Sequence, residues 1–320
     1  MKNIAAYNVT SPILTGNARR KRLWTELKKH KYLYLLVAPM IVYFIVFSYV
    51  PMYGVLLAFK EFDYSKGILG SPWNDFENFR TVLSDQNFHS AFRNTFLIGI
   101  GRLVIEFPIP ILMAILLSEL PFKKMKTFYQ TALTFPHFIS WVVLSGIIIG
   151  FFSDQGVINQ LLSLLGFEKN IVLTNNGMFA ALLFLSNIWK EAGWSAIIYL
   201  AAIAGVNPEL YEAATVDGAN RFHKVKAITW PAVKGAALVL LILAVGNLLN
   251  GGFDQIFNLY NPIVSDYSEI LDTYVYKTAF IDATGFGYST TVGLLKSVIS
   301  FIFLFSTNAT VKKLSDGGGL

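Results

Sequence analysis

Cysteine is absent from this chain of 320 residues. A disulfide framework, a thiolate nucleophile and a cysteine-based metal site are therefore excluded. Histidine is scarce as well, and the four histidines form neither a short-spaced pair nor the HExxH pattern of zinc enzymes. No segment has the GxxxxGK[ST] form of a phosphate-binding loop. We therefore predict that the chain itself holds no metal and no cofactor, and that it does not hydrolyse ATP.

Charge is also in short supply. Charged residues make up 14% of the chain, whereas an ordinary soluble domain has roughly 25%. Hydrophobic residues make up 54%, and the mean hydropathy is +0.51. A soluble protein of this size does not cover its surface with so few charges. The composition therefore predicts a polytopic membrane protein.

Six apolar segments are long enough to cross a bilayer, whose hydrocarbon core requires about 20 residues per helix. They are residues 33–59, 94–118, 127–153, 178–205, 235–252 and 283–311. The predicted fold class is therefore all-α, a bundle of six transmembrane helices. The predicted domains are a basic tail over 1–32, a membrane domain over 33–311 and a short tail over 312–320.

The charges between these segments alternate in sign. The net charge is +7 before residue 33, −1 over 60–93, +2 over 119–126, −1 over 154–177, +1 over 206–234, −4 over 253–282 and +1 after 311. By the positive-inside rule, both termini and the loops 119–126 and 206–234 are expected in the cytoplasm. The overall charge of +6 is then a topology signal, and we predict no nucleic-acid partner.

The loop over residues 206–234 carries helix signals of its own. Asn207 suits the N-cap and Pro208 the first helical position, while Gly218 suits the left-handed residue after a helix end. A short helix is predicted from Pro208 to Asp217. A second one is predicted from about Asn220, ending before Pro231.

The same loop resembles the EAA loop of ABC import permeases. Glu212-Ala213-Ala214 is followed after three residues by Gly218, and after nine more by Ile228 and then Pro231. The string YEAATVDGA, which begins at Tyr211, looks like the carbohydrate-uptake branch of that family, the maltose-transporter type. Trp230 departs from the pattern, which usually has Leu there, but it keeps the position apolar.

This resemblance implies a non-enzymatic pore subunit whose coupling helix docks on a separate ATPase. The residues it assigns to that contact are Glu212, Ala213, Ala214, Asp217 and Gly218. It also implies two ATP-binding cassette subunits that carry ATP and magnesium, a second homologous permease, and an extracellular or periplasmic solute-binding protein. The implied location is the cytoplasmic membrane of a bacterium. The outer segment 266–282 is the expected docking surface for the binding protein.

Polar residues inside the predicted spans are candidates for a substrate pathway, because they are costly in lipid. Lys190 lies near the expected midplane of span four, and aromatic rings next to amides and charges suit sugars. The candidate residues within the spans are Asn187, Trp189, Lys190, Glu191, Trp194, Asn247 and Asn250. Asp254 is a further candidate, because it and Gln255 are expected at the outer mouth after span five, where they can contact the ligand or the binding protein. The alternative is that some of these side chains only pack between helices or bridge them.

Three further charges lie within the spans: Arg102, Glu106 and Lys296. Arg102 and Glu106 are four residues apart on one helix face, where mutual neutralisation is favoured over a substrate role. Because the cations Arg102, Lys190 and Lys296 outnumber the two anions, we hypothesise that the substrate is an acidic, uronate-containing oligosaccharide. The alternatives are an ABC permease for amino acids, peptides or phosphate and, less favoured, a membrane-embedded glycan enzyme.

Overall fold

The computed structural model describes residues 28–169, 172–282 and 285–314. Most of the predicted basic tail and the last six residues lie outside these ranges. Within them the chain is helical without any β-strand, and one isolated bridge pairs Lys60 with Trp73. The prediction of an all-α fold is confirmed.

The chain divides into two compact units, residues 1–55 and 56–320. In the first unit, helix α1 spans Lys31–Phe44 and is followed by a π-helical turn over Ile45–Tyr49. A 3₁₀ segment spans Val50–Phe59 and contains the boundary between the two units.

The second unit contains the remaining helices. They are α2 Gly67–Gly70, α3 Glu77–Ser84, α4 Gln86–Gly101, α5 Pro108–Ser118, α6 Lys123–Thr134, α7 Trp141–Phe152, α8 Val157–Leu164, α9 Asn176–Ala204, α10 Pro208–Val216, α11 Arg221–Lys224, α12 Trp230–Gly246, α13 Phe253–Asn258, α14 Ser265–Ser268, α15 Leu271–Phe280 and α16 Phe286–Leu314. Two π-helical turns, Arg102–Glu106 and Val225–Thr229, and two 3₁₀ segments, Phe135–Phe138 and Pro262–Val264, connect some of them.

Five helical segments of the described chain are long and apolar enough to cross a membrane. They are Lys31–Phe59, Gln86–Ser118, Trp141–Leu164, Arg221–Gly246 and Phe286–Lys313. Helix α9 has 29 residues, or about 43 Å at 1.5 Å per residue, but it is not among these five because polar side chains interrupt its apolar run near the middle. The chain is therefore an all-α membrane protein.

The third predicted span, 127–153, is not one helix, and that part of the prediction is wrong. Helix α6 ends at Thr134, a 3₁₀ turn holds Pro136, and α7 starts at Trp141 after Ser140 caps it with its hydroxyl. Proline cannot donate the backbone hydrogen bond that a continuous helix needs, and its ring crowds the preceding turn. The long apolar stretch is thus divided into two helices that change direction between them.

The predicted helix stop before Pro231 is also wrong. The chain stays helical through the π-helical turn Val225–Thr229 and into α12. In the described part of the chain, a proline follows each of the three π-helical turns, two residues after its end. These prolines are Pro51, Pro108 and Pro231. A π-helical turn widens the hydrogen-bond ladder and so makes room for the proline ring. These prolines reshape their helices without ending them.

Helix α9 occupies the centre of the second unit. Ala196 and Tyr199 on α9 pack with Ala114 on α5 and Val233 on α12 in one buried apolar cluster. Gly193 on α9 lies so close to the Leu133 carbonyl that an added Cβ would overlap it. The close packing holds the polar middle of α9 between its neighbours.

Candidate functional site

A central cavity of about 400 Å³ lies between α9, α12 and the α4–α5 segment. Its lining is mainly apolar, with polar groups from α9, from the α4–α5 segment and from the turn after α12. The polar lining residues are Arg102, Glu106, Asn187, Glu191, Ser195, Tyr199, Asn247 and Asn250. An apolar cavity with a few converging polar groups is the usual form of a small-molecule site.

Arg102 and Glu106 face each other across one helical turn, as predicted, with Arg102 Nε 3.9 Å from Glu106 Oε1. This separation is too long for a hydrogen bond. Both atoms are buried, and neither has a hydrogen-bond partner within the described residues. Asn187 on α9 donates to the other carboxylate oxygen of Glu106. The pair therefore keeps one donor and one acceptor unused at the cavity wall.

Gln255 holds Arg102 from the other side. Its side-chain carbonyl accepts a hydrogen bond of 2.6 Å from the Arg102 guanidinium, and its amide donates to the Leu183 carbonyl and the Ser186 hydroxyl at 2.7 and 3.0 Å. Gln255 is 1% exposed, and all three partners lie on other helical segments. The sequence placed Gln255 next to Asp254 at an outer mouth, whereas the structure buries it as a link between segments.

A second polar cluster lies around the middle of α9. The Lys190 ammonium donates to the Glu191 carboxylate at 2.7 Å and to the His137 carbonyl at 2.8 Å. The His137 Nδ1 atom is 2.7 Å from Glu191, and its ring stacks on Trp194 at 4.3 Å. His137 was missed in the sequence because a single histidine beside a proline in an apolar stretch gives no signal of its partners.

The structure brings together only some of the predicted pathway residues. Four of them, Asn187, Glu191, Asn247 and Asn250, line the central cavity. Trp189, Lys190, Trp194 and Asp254 do not belong to its lining. Lys190 is buried behind Glu191, Trp189 is exposed, and Asp254 is exposed on α13.

The two asparagines belong to the predicted fifth span, 235–252, but α12 ends at Gly246 and they lie in the turn that follows it. Asn250 donates its side-chain amide to the Asn247 side-chain oxygen at 2.8 Å, and Asn247 donates to the Leu243 carbonyl at 3.0 Å. Both residues also line a side cavity of about 570 Å³ toward α15 and α16. In that cavity Lys296 forms an ion pair with Asp272. The asparagine turn therefore stands between the two cavities.

Every intramembrane cation used in the acidic-substrate hypothesis has an anionic neighbour. Arg102 is beside Glu106, Lys190 is bonded to Glu191, and Lys296 is paired with Asp272. The sequence count of three cations against two anions included only residues within the spans. Asp272 from the outer segment adds a third anion beside Lys296 and so removes the positive excess. The local charge of these clusters is balanced.

The loop helix α10 presents an exposed surface. As predicted, it begins at Pro208 with the Asn207 side chain accepting from the Glu209 N–H, and the chain leaves it through Gly218 at φ +75°. Tyr211 anchors it to Thr229 through a hydroxyl contact of 3.0 Å. The predicted contact residues Glu212, Ala213, Asp217 and Gly218 are exposed and Ala214 is half-buried. Exposed Leu210, Val216 and Phe222 surround them.

A cluster of three oxygen-bearing side chains joins the outer segment to α4. The Asp85 carboxylate caps α4 and accepts hydrogen bonds from Tyr274 at 2.8 Å and Tyr288 at 2.6 Å. Partial burial opposes ionisation of Asp85, but the bonds from Tyr288, Tyr274 and the Asn87 N–H outweigh it, so the pKa of Asp85 lies below 3.8. The cluster is a structural connection between α4, α15 and α16.

These features define a class of protein. An all-helical membrane chain with an internal polar cavity and an exposed, capped loop helix has the features of a membrane transport subunit. Residues 106–316 match the family described as binding-protein-dependent transport system inner membrane component. The chain belongs to this family of ABC transporter permeases.

Characterised relatives match nearly the whole chain. The polygalacturonan/rhamnogalacturonan transport system permease protein YteP of Bacillus subtilis (strain 168) is 42% identical over 96% of this chain and 95% of its own length. Protein LplB of the same organism is 40% identical over 96% of both chains. A chain in the crystal structure of a bacterial ABC transporter involved in the import of the acidic polysaccharide alginate has a TM-score of 0.84 and 34% identity, covering 92% of this chain and 99% of that one.

Proposed function

We propose that this chain forms one half of the translocation pathway of an ATP-driven importer of oligosaccharides, with acidic glycans as the favoured substrates. The observation that carries the proposal is the similarity over nearly the full chain to permeases for pectic polysaccharides and alginate. The central cavity supports it, because amide, carboxylate and guanidinium groups on an otherwise aliphatic wall suit a ligand rich in hydroxyls.

Six membrane crossings belong to the same proposal. Helix α9 supplies the sixth crossing beside the five more apolar segments, and its polar middle lines the pathway and avoids lipid. With an even number of crossings, both termini lie on one side, and the positive-inside rule places that side in the cytoplasm. The loop containing α10 then also lies in the cytoplasm.

Helix α10 is the proposed coupling helix. Its exposed apolar residues Leu210 and Val216 fit a hydrophobic cleft, and the Glu212 carboxylate fits a basic partner at the rim. The hydroxyl contact of Tyr211 with Thr229 links α10 to the start of α12, which lines the central cavity. Movement of α10 by an ATPase subunit would therefore reach the cavity wall directly.

The proposed complex contains a second, homologous permease, two ATPase subunits and a solute-binding protein. A periplasmic protein carrying an alginate pentasaccharide is part of one structure that resembles this chain, with a TM-score of 0.83 and 34% identity. The outer helices α13 and α15 with the turn between them are the proposed contact for the binding protein. Their carboxylates give this region its negative charge.

The balanced charge clusters favour a second candidate, an importer of neutral oligosaccharides. An acidic sugar entering the cavities meets cations that are already neutralised by Glu106, Glu191 and Asp272. It must share or displace a carboxylate, whereas a neutral sugar needs only hydroxyl contacts. The two candidate functions therefore differ in whether these ion pairs must open when the substrate binds.

Reconstitution of the complete complex distinguishes them. Proteoliposomes with internal ATP are supplied with binding protein and either a galacturonic acid trisaccharide or its carboxyl-reduced, neutral counterpart. Uptake of the acidic sugar at a rate at least tenfold higher supports the acidic assignment. Equal rates favour the neutral alternative, and ATP-dependent uptake of amino acids without either sugar contradicts the oligosaccharide proposal.

A further inference from the structure

A groove of about 500 Å³ runs between α12 and α16, at the end where α12 begins and α16 ends. We call it the lysine groove. It is lined by Lys234, Leu238, Leu241, Ser306, Thr307, Thr310 and Val311. It shares no lining residue with the central cavity or with the side cavity. The transport pathway described above therefore does not account for it.

The groove is polar at one end and apolar along its length. Lys234 stands four residues after Trp230, where the apolar part of α12 begins, and it is exposed. Leu238 and Leu241 follow on the same helix face, about 6 and 10 Å further along the axis. The lining of the groove therefore changes along α12 from a cationic side chain to hydrocarbon side chains. The polarity of a bilayer changes in the same way from the headgroup region to the acyl chains.

Within the described residues, the cations at this end have no counter-ion. Lys234 forms neither a hydrogen bond nor an ion pair within residues 28–169, 172–282 and 285–314, and the same holds for exposed Lys312 and Lys313 at the end of α16. The intramembrane cations Arg102, Lys190 and Lys296, by contrast, are all paired. An unpaired lysine at the mouth of an apolar groove makes a site for an anion with a hydrophobic tail.

The opposite wall supplies hydrogen-bond donors. Thr310 donates to the Ser306 carbonyl at 2.8 Å, but the hydroxyls of Ser306 and Thr307 make no hydrogen bond inside the described part of the chain. Such hydroxyls can donate to the ester oxygens that join a phosphate headgroup to its acyl chains. A soluble phosphate would use Lys234 alone and leave the apolar groove empty.

We propose that the lysine groove binds an anionic phospholipid, with its phosphate on Lys234 and an acyl chain along Leu238 and Leu241. Basic pockets between transmembrane helices at the cytoplasmic face are known positions for acidic lipid headgroups. Lys234 follows α11 through one continuous helical course, and the turn at Gly218 joins α11 to α10. A lipid on α12 would therefore stabilise the helix that joins the exposed loop to the central cavity wall.

The test measures lipid retention by the intact complex. The complex is purified with its native partner subunits, stripped of lipid by detergent washing and loaded with phosphatidylglycerol or phosphatidylcholine, and bound lipid is counted by native mass spectrometry. One lysine near a lipid surface contributes about 1 kcal/mol, or about a fivefold change in affinity. Lys234→Gln should therefore weaken retention of phosphatidylglycerol about fivefold and leave phosphatidylcholine unchanged.

Lys124→Gln is the matched control, because Lys124 is an exposed lysine at the start of α6 and is not part of the groove. Equal loss of phosphatidylglycerol in the Lys124→Gln and Lys234→Gln complexes would show a diffuse charge effect and overturn the proposal. Unchanged retention in the Lys234→Gln complex would overturn it as well.

A photo-reactive side chain in place of Leu238 identifies the occupant directly, including in the case where Lys234→Gln lowers the yield of complex. Crosslinks to phosphatidylglycerol in nanodiscs support the proposal. Crosslinks to the second permease without any lipid adduct show that a protein covers the groove and contradict it. Replacing Leu238 with Trp provides a further check, since the indole should fill the groove and reduce lipid crosslinking from position 241.

Discussion

The Gln255 side chain accepts a 2.6 Å hydrogen bond from the Arg102 guanidinium and so joins two helical segments that are 153 residues apart. The same amide donates to the Leu183 carbonyl on α9. One buried residue thereby fixes the position of a cation on the wall of the central cavity relative to two other helices. The polar side of this cavity depends on Gln255 although the amide itself is not among the lining residues.

We predict that Gln255→Leu lowers the thermal stability of the complex and abolishes most uptake. The substitution keeps the approximate volume but leaves the buried guanidinium with one partner fewer, a loss of about 1.5–3 kcal/mol for a hydrogen bond to a charged group. Melting temperature and uptake by proteoliposomes measure the two effects. Gln160→Leu, which alters an exposed glutamine on α8, should leave both unchanged.

Gly252→Ala should displace the same guanidinium from the other side. Gly252 has φ +77°, and an added Cβ would meet both terminal nitrogens of Arg102. Gly166 provides a control, because its φ is +79° and nothing lies within 4 Å of an added Cβ. Gly166→Ala should cost about 1–2 kcal/mol of backbone strain alone, whereas Gly252→Ala should cost more and reduce uptake. Equal melting temperatures and equal uptake for the two variants would contradict the contact.

Gly218→Trp should prevent the ATPase from binding. The residue follows α10 with φ +75° in open space, so an indole can be placed there but projects from the surface proposed to dock. Co-purification of the ATPase with the tagged permease should fall at least tenfold while membrane insertion persists. Gly166→Trp carries the same backbone strain at another exposed turn, and its ATPase yield should equal that of the unmodified chain.

Trp194→Ala and Trp189→Ala should differ in their effects on uptake. The sequence alone predicts that both variants lose transport and keep the ATPase. In the structure, the Trp194 ring stacks on His137, which contacts Glu191 on the cavity wall, whereas the Trp189 ring makes no ring contact among the described residues. We expect a larger loss of uptake for Trp194→Ala. A larger loss for Trp189→Ala would place the pathway on the other face of α9.

The stabilising effect of Asp85 should depend on pH in a defined direction. Because its pKa in the folded chain lies below the ordinary 3.8, its contribution is complete above pH 3.8 and is lost as the pH falls through the folded-state pKa. The melting temperature of the unmodified complex should exceed that of Asp85→Asn at pH 7 and 5, and this difference should shrink below pH 3.8. Asp154→Asn, at an exposed carboxylate, should show no comparable difference.

The prolines show where local sequence was insufficient. The sequence predicted a helix end before Pro231, from the missing N–H and the bulk of the ring. Instead a π-helical turn precedes Pro231, as another precedes Pro108, and both helices continue. At Pro136 the chain breaks instead. Which outcome occurs depends on packing: Gly193 holds the end of α6 against α9 and so fixes the chain just before Pro136.

The sequence by itself determined that the chain lies in a membrane, that its fold class is all-α and that a loop helix spans 208–216. It could do so because hydrophobic runs, capping residues and glycine act over a few neighbouring positions. It also located Asn187 and Glu191 in the central cavity through their cost in lipid. Only the tertiary structure decided which partners the charged side chains of the pathway meet. Asp272 and Gln255 reach Lys296 and Arg102 from segments 24 and 153 residues away, and no local pattern records which partner a buried charge meets once the helices pack.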